Sequence, residues 1–101
     1  MADANTGAGS LWCAIAQPAD GAAIKRGKVT VYPIWNAPGP YISKLDLLVD
    51  GSIVDTLDYT KEPRSGSFTW HATTGSHVLT CKITDQSNGT FTSDPVSVTV
   101  S

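Results

Sequence analysis

The run from residue 66 to residue 85 limits the possible folds of this chain more than any other stretch. Phe68 and Trp70 alternate with Ser67, Thr69 and His71, and after Thr73-Thr74-Gly75 the residues Leu79, Cys81 and Ile83 alternate with Thr80, Lys82 and Thr84. A period of two, apolar on one side and Thr-rich on the other, is the signature of a half-buried antiparallel strand. The stretch therefore predicts two strands joined by a short turn, with Phe68, Trp70, Leu79, Cys81 and Ile83 facing a core. The rest of the chain has no helical period and carries turn signals about every 8 to 12 residues, the pattern of a seven-stranded Greek-key β-sandwich.

The other strands follow from the same alternation. Residues 11–15 place Leu11, Cys13 and Ile15 inward and Trp12 outward, and Pro18 with Asp20-Gly21 then punctuates the chain. Residues 28–32 make the second strand. Beyond them Pro33, Asn36, Pro38, Gly39 and Pro40 predict a loop, because a central strand does not tolerate that density of proline. In residues 44–49, Leu45, Leu47 and Val49 point inward, and Asp50-Gly51 is a strong two-residue hairpin signal. A regular hairpin there pairs Leu48 with Ile53, Leu47 with Val54, Asp46 with Asp55 and Leu45 with Thr56, setting two carboxylates against each other. Residues 59–66 read as a loop, and residues 85–89 as a second hairpin turn. The last strand starts at Thr90, is broken at Asp94-Pro95 and closes on Val96, Val98 and Val100. Phe91 points outward in a regular register, which predicts a bulge near residues 93–95. Residues 1–10 are small and polar apart from Met1 and read as a disordered tail or linker, leaving 11–101 as the sandwich domain.

The order Val49-Asp50-Gly51, Ser67-Phe68-Thr69-Trp70, Gly75-Ser76-His77-Val78-Leu79-Thr80, Thr84-Asp85 and Val96-Ser97-Val98-Thr99-Val100 resembles the bacterial immunoglobulin-like domains of secreted and surface proteins. The match runs from about Leu11 to the C-terminus. It implies an immunoglobulin-like or fibronectin type III-like sandwich acting as a non-catalytic accessory module, which spaces, stabilises or presents a neighbouring domain of a larger extracellular or cell-surface chain. The family's disulfide between the second and sixth strands does not carry over, because the second strand here has no cysteine and the third no tryptophan. Trp70 is expected to serve as the core aromatic instead.

Composition narrows the function further. Seven Lys and Arg against nine Asp and Glu give a net charge of −2, with no basic stripe for nucleic acid. Only 16% of residues are charged, well under the usual quarter, so Ser, Thr and Asn must supply much of the surface. No apolar run reaches the ~20 residues of a membrane-spanning helix. Neither histidine falls in an arrangement of nucleophile and base, so no enzyme activity and no cofactor are expected. Asn88-Gly89-Thr90 matches a glycosylation acceptor but reads better as an Asn-Gly turn.

Three sets of residues stand out as candidates. Asp46, Asp50 and Asp55, with Asp58, gather around one hairpin, as calcium ligands would, although a solvated acidic edge is the preferred reading. Cys13 and Cys81, both inward and the only cysteines, are disulfide candidates, opposed by the ~10 Å between packed sheets. Trp12 set against Tyr32, with Thr69 and His71 on the same outer face, would form an aromatic platform suited to a sugar ring. The alternative functions are thus a carbohydrate-binding module for polysaccharide or cell-surface glycan, or a virion-surface decoration domain. The N-terminal residues do not read as a signal peptide.

Overall fold

The computed structural model describes residues 11–36, 42–59, 66–86 and 88–101. Its strands are β1 (Trp12–Gln17), β2 (Ala22–Ile24), β3 (Gly27–Asn36), β4 (Ile42–Val49), β5 (Ser52–Asp58), β6 (Phe68–Ala72), β7 (Gly75–Asp85), β8 (Thr90–Thr92) and β9 (Val96–Val100). They form two sheets. The smaller has the order β1-β3-β6, and the larger β2-β9-β7-β4-β5 with β8 also on β7. The fold is an immunoglobulin-like, fibronectin type III-like sandwich whose first and last strands are each broken in two. Those two breaks turn seven expected strands into nine among the described residues.

The breaks lie where the sequence punctuates. After the cis Gln17-Pro18 bond the chain changes sheets, and β2 pairs in parallel with β9. Asp20-Gly21 fastens the crossing: the Ser97 amide donates to Asp20 Oδ1 at 2.8 Å, and the Gly21 amide to the Ser97 carbonyl at 2.7 Å. At the other end β8 and β9 both pair β7, with Thr92 opposite Lys82 and Val96 opposite Leu79. One residue more lies between them than on β7, which is the bulge expected at residues 93–95. Ser93 fills it. Its amide donates to the Cys81 carbonyl at 2.7 Å, and its hydroxyl accepts the Cys81 amide at 2.9 Å. This bulge turns Phe91, opposite Ile83, inward against the core.

The core matches the alternation. Val31, Leu45, Leu47, Phe68, Trp70, Leu79, Cys81 and Ile83 are buried, joined by Val49, Val96, Val98 and Val100. Burying such side chains contributes about 1.5–3 kcal/mol each, the main favourable term for a domain of this size.

Three expectations need correction. First, β6 and β7 are not a hairpin: they lie in opposite sheets, and residues 73–74 arch between them. Their apolar faces meet across the core instead of lying side by side. Second, β3 continues through Pro33 to Asn36. Residues 27–31 pair β6 while Tyr32 to Asn36 pair only β1, so Pro33 lies where one flank of the strand has no ladder to break. The rest of that predicted loop, 37–41, and residues 60–65 lie outside the described residues, as do 1–10.

Third, the β4–β5 hairpin keeps the expected pairs Val49 with Ser52 and Leu48 with Ile53 but then shifts register, setting Leu47 opposite Asp55 and Asp46 opposite Thr56. The shift separates the two carboxylates. Asp46, 2% exposed, instead accepts the Thr56 hydroxyl at 2.7 Å, with Lys44 Nζ at 3.8 Å. The Asp50-Gly51 turn itself is as expected, with φ of +54° and +89°, the left-handed pair that such a turn demands.

Cys13 and Cys81, the disulfide candidates, are both buried free thiols in this structure.

Candidate functional site

The outer face of the small sheet is built by parity. Because Val31 and Phe68 point into the core, Thr30, Tyr32, Ile34 and Asn36 on β3 and Thr69 and His71 on β6 must point out. Trp12 joins them from β1. Trp12, Tyr32 and Ile34 are 41%, 49% and 49% exposed, unusual for side chains of that size.

The expected platform, however, is not assembled as drawn. Trp12 lies opposite Asn36, and Tyr32 opposite Gln17. Trp12 and Tyr32 thus share a face but stand four positions apart along β3, about 13 Å at the rise of a strand. Ile34, opposite Ala14, occupies the space between them. Thr69 lies opposite Thr30 and His71 opposite Lys28, so His71 and Trp12 sit at opposite ends of the sheet. The result is a ladder of Trp12, Ile34 and Tyr32 bordered by Thr30 and Thr69, not a compact ring platform. The strands of this sheet carry no acidic residue, and Lys28 is their one lysine or arginine. The sequence does not single out Ile34, because the prolines from Pro33 onward predict a loop there.

The acidic candidates are each engaged elsewhere. Asp46 is buried on the outer face of the large sheet, opposite Thr56 and held by its hydroxyl. Asp55 Oδ2 accepts the Thr69 amide at 2.8 Å and so ties the edge of the large sheet to the edge of the small one, while Oδ1 accepts the Thr56 amide at 2.9 Å. Asp50 accepts the Val78 amide at 2.9 Å and the His77 ring at 2.7 Å. Among the described residues no three His, Cys, Asp or Glu converge as a metal site, so the calcium reading of Asp46, Asp50 and Asp55 is not supported.

His77 is a clasp. Nδ1 faces Asp50 Oδ2, Nε2 faces the Thr73 carbonyl at 2.8 Å, and the ring meets the edge of Trp70 with centroids 5.3 Å apart. The Thr73 hydroxyl also lies 3.3 Å from Nε2, so the doubly protonated ring donates to Asp50 and to the Thr73 carbonyl, and the neutral ring can accept from the Thr73 hydroxyl instead. Hydrogen bonding to the Asp50 carboxylate, and then to Thr73, raises the His77 pKa above its usual value, and the same contact lowers that of Asp50. The geometry joins two turns at one end of the sandwich.

The cysteines meet between the sheets. Cys13 Sγ donates to the Cys81 carbonyl at 3.2 Å and lies 3.7 Å from that of Phe91. The neighbouring Cys81 thiol holds the Cys13 pKa below its ordinary value. That contact, together with burial, pushes Cys81 far up.

Comparison with known proteins agrees with this architecture. The chain is similar to a fibronectin(III)-like module of Clostridium thermocellum CbhA, with a TM-score of 0.68 and 19% identity over 88% of this chain and 93% of that one. It is similar also to part of an endo-β-1,4-mannanase from Thermotoga petrophila, with a TM-score of 0.68 and 17% identity, covering 91% of this chain but 20% of that one. A third likeness is to part of SGBP-B of the Bacteroides ovatus mixed-linkage glucan utilization locus, solved in complex with a mixed-linkage heptasaccharide, with a TM-score of 0.58 and 15% identity over 88% and 24% of the two chains. No family model and no curated protein matches the sequence. At these identities the likeness establishes the fold.

Proposed function

We propose that this domain is a non-catalytic accessory module of a larger exported protein, spacing, stabilising or presenting a neighbouring domain through the outer face of its small sheet. The observation that carries the reading is the exposed Trp12, Ile34 and Tyr32 ladder on a sheet whose strands carry no acidic residue. Likeness to a fibronectin(III)-like module, and to a fifth of a mannanase chain, supports a role within multidomain, extracellular carbohydrate-active proteins. The test is deletion of residues 11–101 from the natural gene product. Turnover of a small soluble substrate by any catalytic neighbour should persist, while that neighbour's melting temperature falls. Loss of turnover with the neighbour's melting unchanged would refute the accessory role.

A second reading, direct contact with polysaccharide, is favoured by the same ladder and by the likeness to a protein solved with a heptasaccharide. Rings spaced along one strand and bordered by the Thr30 and Thr69 hydroxyls suit the apolar faces and hydroxyls of an uncharged glycan. Affinity electrophoresis through cellulose derivatives, xylan, mannan and mixed-linkage glucan tests it. Retardation abolished by Trp12→Ala or Tyr32→Ala supports binding, and unretarded migration in every gel removes it.

A further inference from the structure

The two cysteines are the chain's only ones, lie 68 positions apart in sequence, and are both buried, yet the fold brings them into contact between opposite sheets. The strands that carry them differ in kind. Cys81 is on β7, the strand flanked by β9 and β4 at the centre of the large sheet. Cys13 is on β1, which among the described residues is the edge of the small sheet, pairing β3 alone and through an irregular register between Ile15 and Gln17.

The separation of packed sheets, ~10 Å, argues against a bond between typical inward side chains. Here that obstacle is overcome locally. The Cys13 thiol reaches the Cys81 backbone at 3.2 Å, so β1 already lies over β7 at this point. The bulge at Ser93 contributes: it draws the Cys81 amide and carbonyl to itself and brings the Phe91 carbonyl within 3.7 Å of the same sulfur.

We propose that Cys13 and Cys81 are an inter-sheet redox clamp, free as dithiol and closing to a disulfide when the domain meets a disulfide oxidant. Deprotonated Cys13 attacks one sulfur of the oxidant RSSR, forming a mixed disulfide and releasing RSH. Cys81 then loses its proton and attacks the Cys13 sulfur, expelling the second RSH. Two protein thiols and one RSSR become one protein disulfide and two RSH. The order follows from the strands: fraying of the edge strand β1 exposes Cys13, whereas exposing Cys81 requires opening the central strand.

The consequence is mechanical as well as thermodynamic. β1 is held by a single ladder, whereas β9, at the other end of the chain, sits between β2 and β7. A module stretched between its ends would lose β1 first. The disulfide would fasten that strand to the centre of the opposite sheet and close a long loop in the unfolded chain. For a loop of this length the chain-entropy account gives about a thousandfold shift in the folding equilibrium.

The whole chain, purified in reductant, is incubated with oxidised glutathione at several temperatures up to its melting midpoint, then denatured, alkylated with iodoacetamide and weighed intact. The expected product is unalkylated and lighter than the reduced chain by two hydrogens, and it melts well above the same sample after reduction. Cys13→Ala should make melting insensitive to oxidant. Should that variant not fold, the comparison of oxidised and reduced parent stands alone. Two alkylated thiols at every temperature, a product carrying only glutathione adducts, or a disulfide that leaves melting unchanged would each overturn the proposal.

Discussion

Replacing Trp70 and Trp12 by alanine, one at a time, tests the alternation on which the fold rests. The two tryptophans differ in which way they point: Trp70 is 5% exposed and packs edge-on against His77, whereas Trp12 is 41% exposed on the outer face. A buried tryptophan removes about 150–250 Å² from water, and at about 25 cal/mol per Å² that is about 4–6 kcal/mol as an upper figure. Large-to-small replacement in cores typically costs about 3–5 kcal/mol. With a total stability of about 5–15 kcal/mol, Trp70→Ala should leave the domain marginal or unfolded. At about 4 °C or more per kcal/mol for a domain of this size, melting should fall by at least ~12 °C. Trp12→Ala should stay within about 0.5 kcal/mol of the parent, as surface substitutions usually do. Melting followed by near-ultraviolet circular dichroism, with urea titration as a check, measures both. If Trp70→Ala melted within a degree or two of the parent, or if Trp12→Ala proved the more damaging, the assignment of faces would be wrong.

Three further predictions concern polar devices. Raised in the fold, the His77 pKa gives a stabilisation fully present below its unfolded value of about 6.5 and lost as pH rises through the higher folded value, whereas that of Asp50 is present above about 3.9 and lost as pH falls through the depressed folded value. Stability should therefore peak between about pH 4 and 6.5. His77→Gln should remove the loss on the alkaline side, and melting curves across pH check this. Thr56→Val removes the donor to the buried Asp46 carboxylate and should cost about 1–3 kcal/mol by urea denaturation although Thr56 itself is exposed. Gly51→Ala puts a side chain at a φ of +89° and should cost about 1–2 kcal/mol, read as a lowered melting temperature, although no neighbouring atom obstructs the new Cβ.

The inner and outer sides of nearly every strand were legible because they depend only on parity. Cross-strand neighbours were legible only where a short turn sets them. At Asp50-Gly51 the first two pairs were correct, and the error began at the register shift beyond them. Between β1 and β3, far apart in position along the chain, the expected register is off by four residues. A slip by an even number leaves every side chain on its proper face, so hydrophobic pattern cannot exclude it. Trp12, Tyr32, Thr69 and His71 were thus placed on the right face but beside the wrong neighbours. Whether adjoining strands stay in one sheet is equally invisible to alternation, which is why the arch from β6 to β7 read as a hairpin. Asp46 keeps its outward parity, and its burial was not legible because it comes from neighbours on that outer face, among them Thr56, which the register shift sets opposite it.

The proposal that this domain works through a surface and not through bond-making chemistry is tested most directly by two-dimensional 1H–15N NMR of the labelled domain, alone and joined to the next domain of its parent chain. The account predicts shifts concentrated at Trp12, Tyr32, Ile34 and Thr69 on the outer face of the small sheet, with the outer face of the large sheet unmoved. Shifts confined to Leu48, Ile53 and Val78 on the large sheet, or superimposable spectra of the free and joined domain, would contradict it.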